Sequence, residues 1–306
     1  MSSSFTLCGL VAAPFTPFNS DRSLNLAVIP RYAKILADQG VRGAFVNGTT
    51  GEGASLTNTE RKAVAEAWRR AAPSSLALIM HVGHTSIAES IELARHAAEI
   101  GCDAIAAIAP SFFKPAGAAG LAEVCAQIAG AAPGTPFYYY HIPSMTGFNC
   151  SVADFLERVD HIPNFAGVKF THEDLLDFGL SRQARSGRYD ILHGRDETLL
   201  CGLSLGATGA VGSTYNFMAK LYHDVISAFE RGDLKSAWAA QAKVQRIIAV
   251  LVRYGGGVIG GKSIMKMCGL DCGPVRLPLT PLTVDASASF ERELRDIGFF
   301  EFAAHA

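Results

Sequence analysis

Charge is scarce in this chain. Asp, Glu, Lys and Arg make up 18% of its 306 residues, and 27 basic against 28 acidic side chains leave a net charge of −1. With no basic excess to neutralise phosphates, nucleic acid is not an expected partner. Long apolar runs are also missing: none reaches the ~18 residues of a membrane helix, so no membrane partner is expected. The short apolar stretch from Phe5 to Ala13 has no basic segment before it and runs straight into Pro14 and Pro17, unlike a secretory signal. Cysteine occurs seven times, at Cys8, Cys102, Cys125, Cys150, Cys201, Cys268 and Cys272, an odd number with no C-x-x-C pair. Reduced thiols in a cytoplasmic protein are the reading.

What is present points to a large globular core. Hydrophobic residues reach 49%, which excludes a disordered chain. The length suits two ordinary domains or one α/β barrel. Short apolar runs alternate with longer amphipathic stretches. The runs are 7–13, 43–46, 76–82, 103–109, 136–140, 165–170, 190–194 and 208–212. They are apolar throughout rather than alternating, as strands covered on both faces must be. Between them, LNLAVIPRYAKILADQG, TNTERKAVAEAWRRAA and TSIAESIELARHAAEIG carry apolar residues on one helical face. Thr57 before Glu60 and Ser86 before Glu89 have capping-box spacing, and Gly40 and Gly101 stand where helices should stop.

Eight strand–helix repeats predict a (β/α)8 barrel of the α/β class with appended C-terminal helices. The alternative, an open doubly wound sheet, usually has a glycine-rich turn after its first strand, where this chain has APFTPF. Residues 1–220 are expected to form the barrel core. Residues 221–306 are expected to supply its last helix and a helical extension within the same structural unit.

Catalytic groups in such barrels stand at the carboxyl ends of the strands. Lys169 lies inside FAGVKF with no acidic residue before Glu173. Loss of water around an amine favours its free form, which a Schiff-base nucleophile needs. The alternative is a lysine that snorkels to solvent or pairs with a carboxylate. Tyr140 ends a run of three tyrosines and shares a strand face with Tyr138. It is a proton shuttle or a packing tyrosine with a bonded tip. Thr49 and Thr50, between Gly48 and Gly51, offer hydroxyl and N–H donors that suit a carboxylate, or form an ordinary βα turn.

Two competing signals carry less. GGVIGGKS (256–263) satisfies the P-loop pattern G-x-x-x-x-G-K-[ST], but a helix rather than a strand precedes it, so it reads as a glycine-rich link between helices. His81, His84 and His141 lie at strand ends. On a strand, His81 and His84 would point to opposite faces, so no metal site is expected. Cys268 and Cys272 have no second pair to complete a zinc site.

GTTGEG (48–53), YYYHIP (138–143), GVKFT (167–171) and GATGAVGSTYN (206–216), in this order, resemble the N-acetylneuraminate lyase and dihydrodipicolinate synthase superfamily. The resemblance runs from about Leu10 to Pro278. FVNGTTGEG, HVG, HAAEIG, FYYYHIP, TGF, DLLDFG and RLPL are most similar to the animal-type N-acetylneuraminate lyases. Where the synthases carry an arginine for a second carboxylate, this chain has Met145. Where they carry a tyrosine lent to a neighbouring subunit, it has Phe112 and Phe113.

The resemblance implies a homotetrameric class I aldolase that needs no cofactor. Its substrates would be sialic acid and pyruvate. Lys169 would form the imine and Tyr140 would move the proton. Thr49 and Thr50 would hold the carboxylate, and Thr171 would face the reacting hydroxyl. Gly194, Asp196, Glu197 and Ser213 would bind the polyol tail; the alternative for Asp196 and Glu197 is a charge pair in the first turn of a helix. Another pyruvate-Schiff-base aldolase or a sugar-acid dehydratase would keep Lys169 and Tyr140 and change the partner aldehyde. A non-catalytic sensor of sialic acid or pyruvate would keep the pocket without turnover. A metal-dependent aldolase would lose activity to EDTA.

Overall fold

The eight apolar runs become eight parallel strands: β1 (Gly9–Ala12), β2 (Gly43–Val46), β3 (Ala77–His81), β4 (Ala104–Ile108), β5 (Phe137–His141), β6 (Phe165–Phe170), β7 (Asp190–His193) and β8 (Gly209–Gly212). The computed structural model describes residues 5–304. Each strand pairs with the next, and β1 pairs with β8 from Gly9↔Gly209 to Ala12↔Gly212, so the sheet closes into a barrel. Closure excludes the open doubly wound alternative.

Twelve α-helices among the described residues follow the same rhythm: α1 (Ile29–Asp38), α2 (Asn58–Ala71), α3 (Ile87–Glu99), α4 (Gly117–Gly130), α5 (Pro143–Thr146), α6 (Val152–Leu156), α7 (Leu175–Gln183), α8 (Leu199–Ser204), α9 (Tyr215–Glu230), α10 (Leu234–Arg253), α11 (Gly256–Met267) and α12 (Val284–Asp296). Thr57 caps α2 in a full capping box with Glu60. Ser86 caps α3 through the Glu89 N–H, while the Glu89 carboxylate accepts from Asn58 Nδ2 instead. Gly40 and Gly101 follow α1 and α3 with φ of +72°, the left-handed exit that glycine adopts without steric cost.

Alternation along the strands divides the core in two. Val11, Phe45, Ile79, Ala106, Tyr138, Tyr140, Leu192 and Val211 fill the barrel. Leu10, Ala12, Ala44, Met80, Tyr139, Val168 and Ile191 pack outward against the helices. Gly167 lets β6 and β7 close up: a Cβ there would lie 1.9 Å from the Asp190 carbonyl oxygen.

GGVIGGKS departs from its expected role as a link. Gly256 to Met267 form α11 itself, and the chain turns by 102° between α10 and α11 at Gly255, whose φ is +86°. The glycines serve close packing: a Cβ on Gly261 would sit 2.4 Å from Phe15 Cζ, and one on Gly260 2.7 Å from Leu251 Cδ1. Helix α9 spans residue 220 and packs along α10. All seven cysteines are unpaired. Among the described residues no single helix is long and apolar enough to cross a membrane.

Candidate active site

Lys169 takes its place from strand register. Cα pairing sets it beside Tyr140 of β5 and Leu192 of β7, and alternation turns it inward with Tyr140. Only 4% of it is exposed. Its Nζ lies 3.9 Å from the centre of the Tyr140 ring and 4.2 Å from that of Phe45. No carboxylate among the described residues lies within ion-pair distance of that amine. Among the described residues, the side chain thus neither reaches solvent nor pairs with an anion.

Tyr140 is equally buried, and its hydroxyl lies 3.3 Å from Thr49 Oγ1. This contact joins the end of β5 to the loop after β2, bringing together residues 91 positions apart. The loop is held from several sides. The Thr16 hydroxyl donates to the Gly51 carbonyl at 2.6 Å, the Glu52 N–H to the Thr49 carbonyl at 3.0 Å, and the Gly53 N–H to the Gly48 carbonyl at 3.1 Å. Thr49 and Thr50 stay half-buried at its crest.

Past the lysine, Thr171 donates its N–H to the His141 carbonyl, while its buried hydroxyl has no protein partner. A buried hydroxyl without a partner is costly in an isolated protein and useful where a ligand hydroxyl completes it. Gly194 keeps the space above it open: a Cβ there would lie 2.1 Å from Thr171 Oγ1. Asp196 is buried, and its Oδ2 accepts from the Thr214 N–H at 2.9 Å and the Thr214 hydroxyl at 2.7 Å. Burial pushes its carboxyl up to about 6. Glu197 is half-buried and pairs at 2.6 Å with Arg195, which also holds Glu173. Both acids lie in the first turn of a short 3-10 helix (Asp196–Thr198) leading into α8, and Asp196 is tied to Thr214 at the start of α9. Ser213 follows β8, half-buried, with its Oγ 3.0 Å from where a Cβ on Gly257 would be.

His81, Arg61 and Phe45 belong to this site too, and pattern reading misses their part in it. His81 points inward, 5.9 Å from the Tyr140 ring and 6.0 Å from Phe45. Burial, then the charges of Arg61 and Lys169, hold its imidazole well below the usual histidine range. Buried Arg61 of α2 donates to the carbonyls of His81 (2.6 Å) and Gly83 (3.0 Å), anchoring the end of β3. One signal existed: Arg61 interrupts the apolar stripe that continues at Val64, Ala65 and Trp68. The three histidines do not converge. β3 ends at His81, so His84 lies in the loop, where its Nδ1 accepts from the Ser86 N–H. His141 faces outward, packed on Tyr139 and Phe170.

At the rim, Met145 is 62% exposed, and Phe112 and Phe113 are 76% and 84% exposed. A cavity of 890 Å³ opens elsewhere, between the 18–25 loop, α11 and the start of α12; Lys262 and Ser263 of GGVIGGKS line it, and none of the strand-end candidates does.

Residues 6–297 match the dihydrodipicolinate synthetase family. The chain is 46% identical to the N-acetylneuraminate lyase of Rattus norvegicus over 301 residues, covering 97% of this chain and 94% of that protein. The Homo sapiens N-acetylneuraminate lyase is also 46% identical over the same shares. Among solved structures, the sialic acid aldolase of Aliivibrio salmonicida superposes with a TM-score of 0.93 at 42% identity, covering 96% of this chain and 98% of that one. The Proteus mirabilis N-acetylneuraminate lyase gives 0.93 at 44% identity, covering 96% and 100%.

Proposed function

The chain belongs to the dihydrodipicolinate synthetase family, and from that premise we infer that it is a lyase that cleaves N-acetylneuraminate reversibly to pyruvate and N-acetylmannosamine. High identity to N-acetylneuraminate lyases over nearly the whole chain supports the substrate. The observation that carries the reaction type is the setting of Lys169: a buried amine with no carboxylate partner among the described residues, against a tyrosine, inside the barrel.

The mechanism we propose runs through these residues. The Lys169 amine adds to the C2 ketone of the open-chain sugar acid, the Tyr140 phenol gives its proton to the departing hydroxyl, and water leaves, giving an iminium. The Tyr140 phenolate left by that step takes the C4 hydroxyl proton. The C3–C4 electron pair moves into the iminium, N-acetylmannosamine departs as the aldehyde, and an enamine remains. Protonation at C3 and addition of water release pyruvate and restore the amine. Proton transfer by a placed group contributes typically ~10²–10⁴-fold. Donors at Thr49 and Thr50 suit the carboxylate. The partnerless Thr171 hydroxyl suits the reacting hydroxyl. Gly194, Asp196, Glu197 and Ser213 suit the polyol, whose hydroxyls donate to acidic side chains. These steps call on no metal or cofactor, so activity is expected to survive EDTA dialysis.

We propose further that the protein is a cytoplasmic homotetramer and that residues 1–220 and 221–306 form one structural unit. The test of the central reading is borohydride reduction in the presence of pyruvate. It should inactivate the enzyme and add the reduced adduct's mass to the peptide carrying Lys169, and Lys169→Ala should abolish both trapping and cleavage. Adduct on Lys262 instead, or undiminished cleavage by Lys169→Ala, would overturn it.

A further inference from the structure

Lys262, the lysine of GGVIGGKS, has no part in the steps above, yet it is one of the least exposed charges in the chain. Its side chain is 3% exposed, and its Nζ lies 2.6 Å from Glu52 Oε1, on a carboxylate that is 1% exposed. The same amine donates to the Pro274 carbonyl at 2.9 Å and lies 4.2 Å from the Phe18 ring centre. The other Glu52 oxygen accepts the Arg276 N–H at 2.8 Å. Helix α11 and the 274–276 segment, both beyond the barrel strands, thus converge on one side chain of the loop that carries Thr49 and Thr50.

The backbone of Glu52 explains why that grip matters. Its φ is +54° and its ψ +31°, the left-handed region that a residue with a Cβ seldom occupies. Glycines stand on both sides at Gly51 and Gly53, so the strained position is the one that keeps its side chain. Gly53 has no room for one: a Cβ there would lie 2.0 Å from the Asn47 carbonyl oxygen. Strain of this kind persists only where surrounding contacts over-determine it. The Glu52 N–H closes the turn onto the Thr49 carbonyl, and Thr49 reaches Tyr140. A buried ion pair is a weak source of net stability, since both ions lose their water. Its value here is geometric.

We propose that Lys262 is a positioning residue for the carboxylate cradle, holding Glu52 in its left-handed turn so that Thr49 and Thr50 face the substrate carboxylate. This rests on the carboxylate role given above to those threonines. The pair sets where the carboxylate is gripped, while Lys169 and the Tyr140 ring keep their packing against Phe45 and each other.

The experiment measures borohydride trapping on Lys169 against pyruvate concentration, alongside KM and kcat for N-acetylneuraminate. Wild type is read first: no pyruvate adduct on Lys169 would overturn the functional reading itself. With that adduct in hand, Lys262→Met and the double variant Glu52→Gln/Lys262→Met should each raise half-saturating pyruvate and KM roughly tenfold. Maximal trapping and kcat should stay within about threefold, the signature of binding lost equally from ground and transition states. The double variant should lose no more than the single one, because both break the same contact. Lys262→Arg, which keeps the charge, should recover most of the affinity. Unchanged half-saturation in the folded double variant would overturn the proposal. So would a loss of maximal trapping at unchanged half-saturation. If neither charge-removing variant folds, the pair serves folding and the proposal fails.

Discussion

A single burial gives Asp196 a measurable pH signature. Its carboxyl is pushed up to about 6 by loss of water, so the folded chain favours the neutral acid more than the unfolded chain does. The sign follows from linkage: this contribution to stability is fully present below the ordinary carboxylate range near pH 4 and is lost as pH rises through about 6. Two pKa units correspond to on the order of 3 kcal/mol. Asp196→Asn removes the ionisation, so its melting temperature relative to wild type should climb between pH 4 and pH 8 in paired thermal scans. A flat difference would mean that Asp196 titrates as it does in water. Glu197 gives a kinetic counterpart. Leaving a buried polar partner unmatched costs about 1–3 kcal/mol, so Glu197→Ala should lower kcat/KM for N-acetylneuraminate roughly 5- to 200-fold at about 1.4 kcal/mol per decade. Pyruvate trapping on Lys169 should be unaffected, since Glu197 pairs with Arg195 and touches neither Thr49 nor Tyr140.

At the scale of one element, α2 links local sequence to the site. The Thr57 hydroxyl accepts from the Glu60 N–H, and the Glu60 carboxylate accepts in return from the Thr57 N–H at 3.0 Å. That carboxylate also receives both terminal nitrogens of Arg276, at 2.6 and 2.8 Å, and Arg276 holds it down at about 2. The next residue is Arg61, which anchors the end of β3 below Tyr140. Thr57→Ala should cost about 1 kcal/mol in denaturant unfolding, with kcat unchanged, because the Arg276 contacts survive. Glu60→Ala removes the cap and the Arg276 pair together and should cost more. Equal losses in the two variants would show that Arg276 adds nothing at this helix start.

The whole molecule is a closed ring whose last helices lock back onto its first loops. α11 reaches the β2 loop through Lys262, and Arg276 reaches the Arg22 carbonyl and Glu60. Scanning calorimetry should therefore give one cooperative transition; two resolved transitions would separate residues 221–306 from the barrel. The exposed Phe112–Phe113 pair, ring centres 5.0 Å apart, stands at the rim of the barrel. For the proposed homotetramer, sedimentation should give about four times the 32.5 kDa chain mass. A monomer at working concentration would refute that assembly.

Sequence by itself determined the barrel, because the eight strands are buried on both faces and leave eight unbroken apolar runs. It also marked helix starts and stops at Thr57, Ser86, Gly40 and Gly101, where local backbone chemistry decides. Lys169, Tyr140 and the threonine loop were legible as strand-end residues, since a barrel sends strand ends to one mouth. Tertiary structure alone decided which of them touch. The Thr49–Tyr140 contact spans 91 residues, and Phe45 of β2 reaches the lysine of β6 only because the sheet closes into a barrel. It also turned GGVIGGKS from an expected link into α11. Local propensity reads those glycines as breaks, while the fold uses them to bring a helix against Phe15 and Leu251. The partner of Lys262 was beyond any pattern in the chain, because 210 residues separate it from Glu52 and only the packed barrel joins them.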